Sequence, residues 1–332
     1  MPASSSSSLL WILAAAALLA LGPSTAAKAQ GEELSLTITT GSANGTYSRF
    51  AREIAEMLPS VRFEIAPSEG SVQNLKRLIG YEGHEDQKYF QLALVQADVL
   101  DQLRARAQGN EVLEAVVDRV KVVMPLYGEE IHIYAQRELG FDDVSDLDPT
   151  VAIVNAGSEN SGTNLTLRWF FEQIERGEET INWQNFSVDK GLPNIGLGYD
   201  VLFDVSGAPS PLGKSIAPDR QLQLLEITDY GSLLDSNESP YRAAILTPEQ
   251  YPWLDQEVRT LAVTALLVTF DYGEENPYCD LIAQLTRAVR DGLPDRQNPA
   301  SGSHPKWREV DLVGAGNRLD AYKCSARVLN GR

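Results

Sequence analysis

The sequence predicts an α/β fold of two doubly wound lobes around a ligand cleft. Three observations carry this reading. Short apolar runs alternate with amphipathic stretches along most of the chain, the pattern of strands and helices in a mainly parallel sheet. Each half holds a loop of small polar residues between an apolar run and an amphipathic segment: Gly41-Ser-Ala-Asn-Gly-Thr-Tyr47 and Ala156-Gly-Ser-Glu-Asn-Ser-Gly-Thr163. A late run, Leu261-Ala-Val-Thr-Ala-Leu-Leu-Val268, is too apolar to be exposed and is expected to return to the first sheet.

Residues 1–29 read as a secretory signal peptide. The apolar run over 9–21 is shorter than the roughly 20 residues of a membrane span. Gly22-Pro23 ends it, and Ala27-Lys28-Ala29 has the small-x-small form of a cleavage site. Leu34-Ser-Leu-Thr-Ile-Thr39 alternates as a strand, and Phe50, Ile54, Met57 and Leu58 then recur at helical spacing. Val61, Phe63 and Ile65 mark a second strand, and Val72, Leu75, Leu78 and Ile79 a short helix. Residues 81–88 are polar and loop-like, and Phe90-Gln-Leu-Ala-Leu-Val-Gln96 is a third strand leading into a helix at Asp98. Residues 121–135 form a long extended stretch, kinked at Pro125 and Gly128.

A second unit follows. Val151-Ala-Ile-Val-Asn155 is its strand and 163–176 its helix. Residues 191–198 are glycine-rich and turn-like, and 201–205 and 222–227 are further strands. The expected division is 30–128 for the first part of lobe 1, 129–249 for lobe 2, and 250–332 for the return to lobe 1 with C-terminal helices. Crossing segments fall near 128–136 and 248–260.

An apolar fraction of 43% with 22% charged residues is ordinary for a globular protein, whereas the net charge of −18 is not. It argues against nucleic-acid binding and against docking on an anionic lipid surface. Cys279 and Cys324 lie close to the C-terminus of a chain read as exported, so a disulfide is expected, with two free thiols as the alternative. Neither has histidines at zinc-ligand spacing.

The chemistry expected of the loops is anion capture. Free N–H groups at a helix start, with the helix dipole, suit a carboxylate. Ser158, Ser161, Gly162 and Thr163 carry this signal most strongly, with Ser161 as a plain N-cap the competing reading. Gly41, Ser42 and Tyr47 form the second such junction; they lack the spacing of nucleotide-binding loops. Ser71 and Asn74 start another helix, and Gln96 ends a strand where ligands collect in open α/β sheets. Asp204 reads equally as a partner for an amino group or as a turn cap. Enzymatic readings fare worse. No Gly-x-Ser-x-Gly elbow exists, and His84, His132 and His304 include no pair at metal-ligand spacing. His132, between Ile131 and Ile133, reads as a strand residue rather than a general base.

Five segments, in this order, resemble the TAXI family of solute receptors, the extracytoplasmic binding components of TRAP transporters. They are Leu36-Thr-Ile-Thr-Thr-Gly-Ser-Ala-Asn-Gly-Thr-Tyr47, Glu69-Gly-Ser-Val-Gln-Asn-Leu75, Leu92-Ala-Leu-Val-Gln-Ala-Asp98, Pro125-Leu-Tyr127 with Ile131-His-Ile133, and Gly157-Ser-Glu-Asn-Ser-Gly-Thr163. The resemblance implies a periplasmic-binding-protein-like fold that closes on a small organic anion, a carboxylate or an amino acid such as glutamate. It also implies delivery to a TRAP membrane permease, a periplasmic monomer, no cofactor or metal, and no catalysis. Its ligand-facing positions fall on Gly41, Ser42, Tyr47, Ser71, Asn74, Gln96, Ser158, Ser161, Gly162 and Thr163. A secreted enzyme using the same cleft, or a sensing subunit for a membrane signalling protein, is the alternative.

Overall fold

Five-residue apolar segments rich in Leu, Ile and Val become strands, and each is followed by an amphipathic helix that covers one sheet face. A computed structural model describes residues 34–81, 89–174, 181–187, 194–217, 221–230, 233–234, 239–317 and 320–331. The signal peptide expected over 1–29 lies outside these residues, as do most of the 81–88 loop with His84 and part of the 191–198 segment.

The first lobe is built from β1 (Ser35–Thr39), α1 (Thr46–Met57), β2 (Arg62–Ala66), α2 (Ser71–Leu78), β3 (Leu92–Gln96), α3 (Ala97–Ala107) and α4 (Glu111–Val117). β1 pairs parallel to both β2 and β3. The second lobe holds β5 (Ile153–Asn155), α5 (Gly162–Gln173), β6 (Asn182–Gln184), β7 (Val201–Ser206) and α6 (Pro211–Lys214). Here β5 pairs parallel to β6 and β7.

Two long strands join the lobes. β4 runs over Val120–Gln136 and β10 over Val258–Phe270. They pair antiparallel, and the ten-strand sheet runs β2-β1-β3-β10-β4-β7-β5-β6. β8 (Leu222–Leu224) adds to β4, and β9 (Tyr241–Leu246) to β10. The sheet is therefore parallel at both ends and antiparallel in the middle, where the sequence suggested a mainly parallel arrangement. A strand that leaves one lobe and a strand that returns must run in opposite directions, so the centre cannot be parallel. Pro125 and Gly128 do not break β4. They sit at a register shift against β10, a bulge that absorbs the missing proline N–H. The return of the late apolar run to the first sheet is as expected, because β10 pairs with β3.

Both faces of the first lobe are covered. α2 and α3 lie over one face, with Leu75, Leu78, Val99 and Leu100 in its core. α1 and α7 (Pro277–Gln297) lie over the other, with Phe50, Ile54, Ile282 and Leu285. Asn276 caps α7, with Pro277 at the first helical position. A disulfide joins Cys279 on α7 to Cys324 on α8 (Lys323–Leu329), fixing the tail against the first lobe. Trp307, fully buried, stacks on Phe50 at 4.6 Å and donates its indole N–H to Glu53 at 2.5 Å. His132 lies in the core, bonded to the Glu130 carbonyl and the Tyr251 hydroxyl.

Candidate functional site

The parallel strands of both lobes direct their C-terminal ends at one place, where ligands bind in open α/β sheets. β1 leads into α1, β3 into α3, and β5 through 156–161 into α5. α1, α2 and α3 begin without a side-chain cap. The first N–H groups of α1 are thus left to a ligand or solvent, whereas Gln73 N of α2 donates to the Asn160 carbonyl and Val99 N of α3 to Asp98 Oδ1. α5 differs, because the Ser161 hydroxyl accepts from Asn164 N and donates to the Ser158 carbonyl. Ser161 is occupied as an N-cap.

The lobes touch across this place. The backbone of Gly70, at φ 129°, passes the start of α5 so closely that a Cβ there would lie 3.3 Å from Gly162 N and from Ser161 Cα. Only glycine combines that φ with that approach. A Cβ on Gly162 would lie 1.4 Å from Gln96 Oε1 and 2.8 Å from Ser71 Oγ. Gln73 N donates to the Asn160 carbonyl, and Lys76 Nζ to Asn160 Oδ1 at 2.7 Å. On the other side of the seam, Asp98 at the start of α3 accepts from Thr166 of α5 and from Tyr241 of β9.

Inside the seam the polar side chains form a chain. Tyr47 donates to Glu129 Oε2 at 2.6 Å. Ser71 Oγ accepts from Gln96 N at 3.1 Å and donates to Gln96 Oε1 at 3.3 Å. Gln96 then abuts Gly162 of the opposite lobe. The amide nitrogen of Gln96 and the hydroxyl of Tyr127 are buried without a protein partner. Tyr127 lies under Gly207, just beyond β7, beside Thr46.

Burial governs the titration of these groups. Desolvation pushes the Glu129 carboxyl well above the carboxylate range, with the Tyr47 hydrogen bond opposing it. Tyr47 rises by desolvation first, then by proximity to Glu129 and Tyr127. Asp98 is pushed up to about 6 by desolvation, against the bonds from Thr166 and Tyr241. Among the described residues no group of three or more His, Cys, Asp or Glu is placed to hold a metal ion.

Of the ten positions expected to face a ligand, the structure draws Tyr47, Ser71, Gln96 and Gly162 into the seam. Thr163 adjoins them, its hydroxyl accepting from Val205 N at 3.1 Å. Ser158 gives its carbonyl to Ser161. Gly41 lies against the Tyr47 ring, and the Ser42 carbonyl accepts from Ser48 and Gly45 N. Asn74 is committed to the scaffold: it accepts from Thr39 and Ser68 and donates to the Thr40 and Leu94 carbonyls. Two surface cavities, of about 520 and 660 Å³, lie elsewhere, one lined by Arg137, Glu226 and Asp255 and the other by Arg290, Arg308 and Leu329. Neither includes a residue of the seam.

Sequence reasoning missed Glu129, Tyr127 and Thr166. The signal for Glu129 was present, since two adjacent acids interrupt an otherwise apolar 122–135 stretch. A strand crossing between lobes has no solvent face, so such acids must meet partners inside.

No curated protein sequence matches the chain. Among solved structures it is similar to the alkanesulfonate-binding protein from Xanthomonas axonopodis pv. citri bound to MOPS, at 14% identity and TM-score 0.46, over 91% of this chain and 86% of that one. It is also similar to a binding protein component of an ABC phosphonate transporter from Pseudomonas aeruginosa, at 10% identity and TM-score 0.47, over 83% and 78%. A third is a nutrient-binding protein from Burkholderia cenocepacia bound to methionine, at 12% identity and TM-score 0.39, over 81% and 98%. Residues 38–312 match the NMT1-like family, and the chain belongs to that family.

Proposed function

We propose that this protein is a periplasmic solute receptor that closes its two lobes on a small carboxylate or amino acid and delivers it to a TRAP-type membrane permease. The carrying observation is the seam where Ser71 and Gln96 of one lobe meet Gly162 of the other. A ligand there engages both lobes at once, so binding favours the closed form. The uncapped start of α1 supplies N–H groups for a carboxylate. The Cys279–Cys324 bond fits an oxidising compartment. The five sequence segments similar to TAXI receptors favour a TRAP permease as partner. The seam binds and releases its ligand unchanged; no nucleophile–base pair lies in it among the described residues.

The test is a thermal-shift screen of small carboxylates and amino acids, because a ligand that binds only the folded state raises the melting temperature by mass action. A member of the panel is expected to stabilise the wild-type protein. Ser161→Asp puts a negative charge at the start of α5 and is expected to remove that shift. A silent panel, or an undiminished shift in the variant, refutes the proposal.

A further inference from the structure

The two adjacent glutamates of β4 are treated differently by the fold. Glu130 meets the buried ammonium of Lys306 and the N–H of Ala208. Lys306 is 2% exposed and also contacts Glu309, so its charge is balanced within the protein. Glu129 is just as buried, at 3% exposure, yet among the described residues it forms no ion pair. Its protein partner is a neutral hydroxyl, that of Tyr47. The groups around it are Tyr47, Asp98, Glu130 and Asp204, three of them acidic. A carboxyl so enclosed is stable when neutral or when a cation arrives, and costly when ionised alone.

Its position says what cation arrives. Tyr47, which holds Glu129, is the second residue of α1, at the uncapped start that faces the seam. Through Ser71 the chain of contacts continues to Gln96, whose buried amide nitrogen has no protein partner. The Tyr127 hydroxyl, two residues before Glu129, is likewise unpartnered. One end of the site thus offers donors and the other a carboxyl.

We propose that Glu129, oriented by Tyr47, is the counter-charge for a protonated amine on the ligand, so that the receptor selects zwitterionic or amine-bearing solutes over the matching simple acids. This rests on the receptor function proposed above. The amine enters as an ammonium, Glu129 gives up its proton to solvent, and an ion pair forms inside the closed seam. Asp98, Glu130 and Asp204 add negative potential, and Lys306 stays on Glu130 and Glu309.

The experiment uses the full mature chain and matched pairs: L-glutamate with glutarate, L-leucine with 4-methylpentanoate, and L-alanine with propionate. Calorimetry at pH 7 in buffers of different ionisation enthalpy reads affinity and proton release together. An amine-bearing member is expected to bind about 100-fold more tightly than its acid partner, the worth of one charge-assisted contact. Binding is expected to release protons, because pairing with an ammonium draws the raised Glu129 carboxyl back toward its ionised form. Glu129→Gln, checked for native circular dichroism, is expected to cut the ratio below about tenfold and to abolish proton release. Glu129→Asp is expected to recover part of both. Acids that bind as well as their amines, binding without proton release, or a Glu129→Gln variant that keeps full discrimination overturns the inference. If only acids bind, and Ser161→Asp abolishes it, the receptor function stands while the role of Glu129 falls. If no member binds, both fall.

Discussion

Gly162→Ala tests the seam directly. Gly162 is the first residue of α5 and has ordinary helical geometry, so alanine is locally acceptable and favours the helix. The obstacle comes from the other lobe. The new methyl would lie 1.4 Å from Gln96 Oε1, 2.6 Å from its Cδ and 2.8 Å from Ser71 Oγ. Gln96 must swing away, losing its contact with Ser71 in a place where it is 2% exposed. Overpacking of this kind costs about 1–3 kcal/mol, and a buried polar group left unpaired at least about 1 kcal/mol more. A combined cost of about 2–4 kcal/mol falls on the form in which Gly162 meets Gln96. Ligand affinity is expected to fall about 30- to 1,000-fold. The unliganded melting temperature is expected to move by no more than about 2 °C, since neither lobe core is altered. Calorimetry with a ligand from the amino-acid panel measures the first quantity and a thermal melt the second. Small-angle scattering at a ligand concentration that saturates the wild type is expected to show a larger radius of gyration for the variant. Wild-type affinity with unchanged scattering would refute the assignment of Gly162 to an interlobe contact.

Two further outcomes follow from the same geometry. The Asp98 carboxyl sits at about 6 in the fold against 3.8 for the free group, so below pH 3.8 it is neutral in both states and adds no pH dependence. Above pH 6 it is ionised in both, and the fold carries a desolvation cost of about 3 kcal/mol. Stability from this group is therefore lost as pH rises from about 4 to 6; denaturant titrations should show that step in wild type and not in Asp98→Asn, and equal slopes in both would count against it. The Cys279–Cys324 bond spans 45 residues, so the double serine variant is expected to lose about 3–4 kcal/mol, measured by chemical denaturation against the oxidised wild type. A loss under about 1 kcal/mol would mean that the α7–α8 packing holds without the cross-link.

Much of the fold was legible because it is local. The alternation of Leu36, Ile38 and their polar neighbours, and the five-residue run at 92–96, reported buried parallel strands through composition alone. The loops at 41–47 and 156–163 were legible because glycine and serine between a strand and a helix have few other uses. What stayed hidden depends on pairing across long separations. Tyr47 and Glu129 are 82 residues apart, and Asp98 and Thr166 are 68 apart. No periodicity records either contact. Asn74 shows the reverse difficulty, since its polarity suggested a ligand contact and the fold spends it on Thr39, Ser68 and two carbonyls. A buried amide in a helix start looks the same in sequence whether it holds a solute or the neighbouring strand.

The closed seam also explains why closure would wait for a ligand. On the proposed receptor function, a protein that closed too readily without its solute would present a false signal to a permease, so the empty closed form must be held near or above the open one. The polar contacts across this seam join Gln73, Lys76 and Glu69 to Asn160, and Asp98 to Thr166 and Tyr241, beside an apolar core that takes in Leu75 and Leu100 of the first lobe with Leu167 and Phe170 of α5. Against them stand the burial of Glu129 without an ion pair, and of the unpartnered Gln96 nitrogen and Tyr127 hydroxyl. Each such group costs about 1–3 kcal/mol until it is satisfied. A ligand with an ammonium for Glu129 and acceptors for Gln96 and Tyr127 removes those costs together. The groups that penalise the empty closed form are then the same ones that recognise the solute, which couples selectivity to closure without any separate switch. On this account Glu129→Gln lowers selectivity and also lets the empty protein close more readily, so scattering of the unliganded variant should show a more compact particle than wild type. A particle as open as wild type would separate the two effects and leave recognition without the coupling.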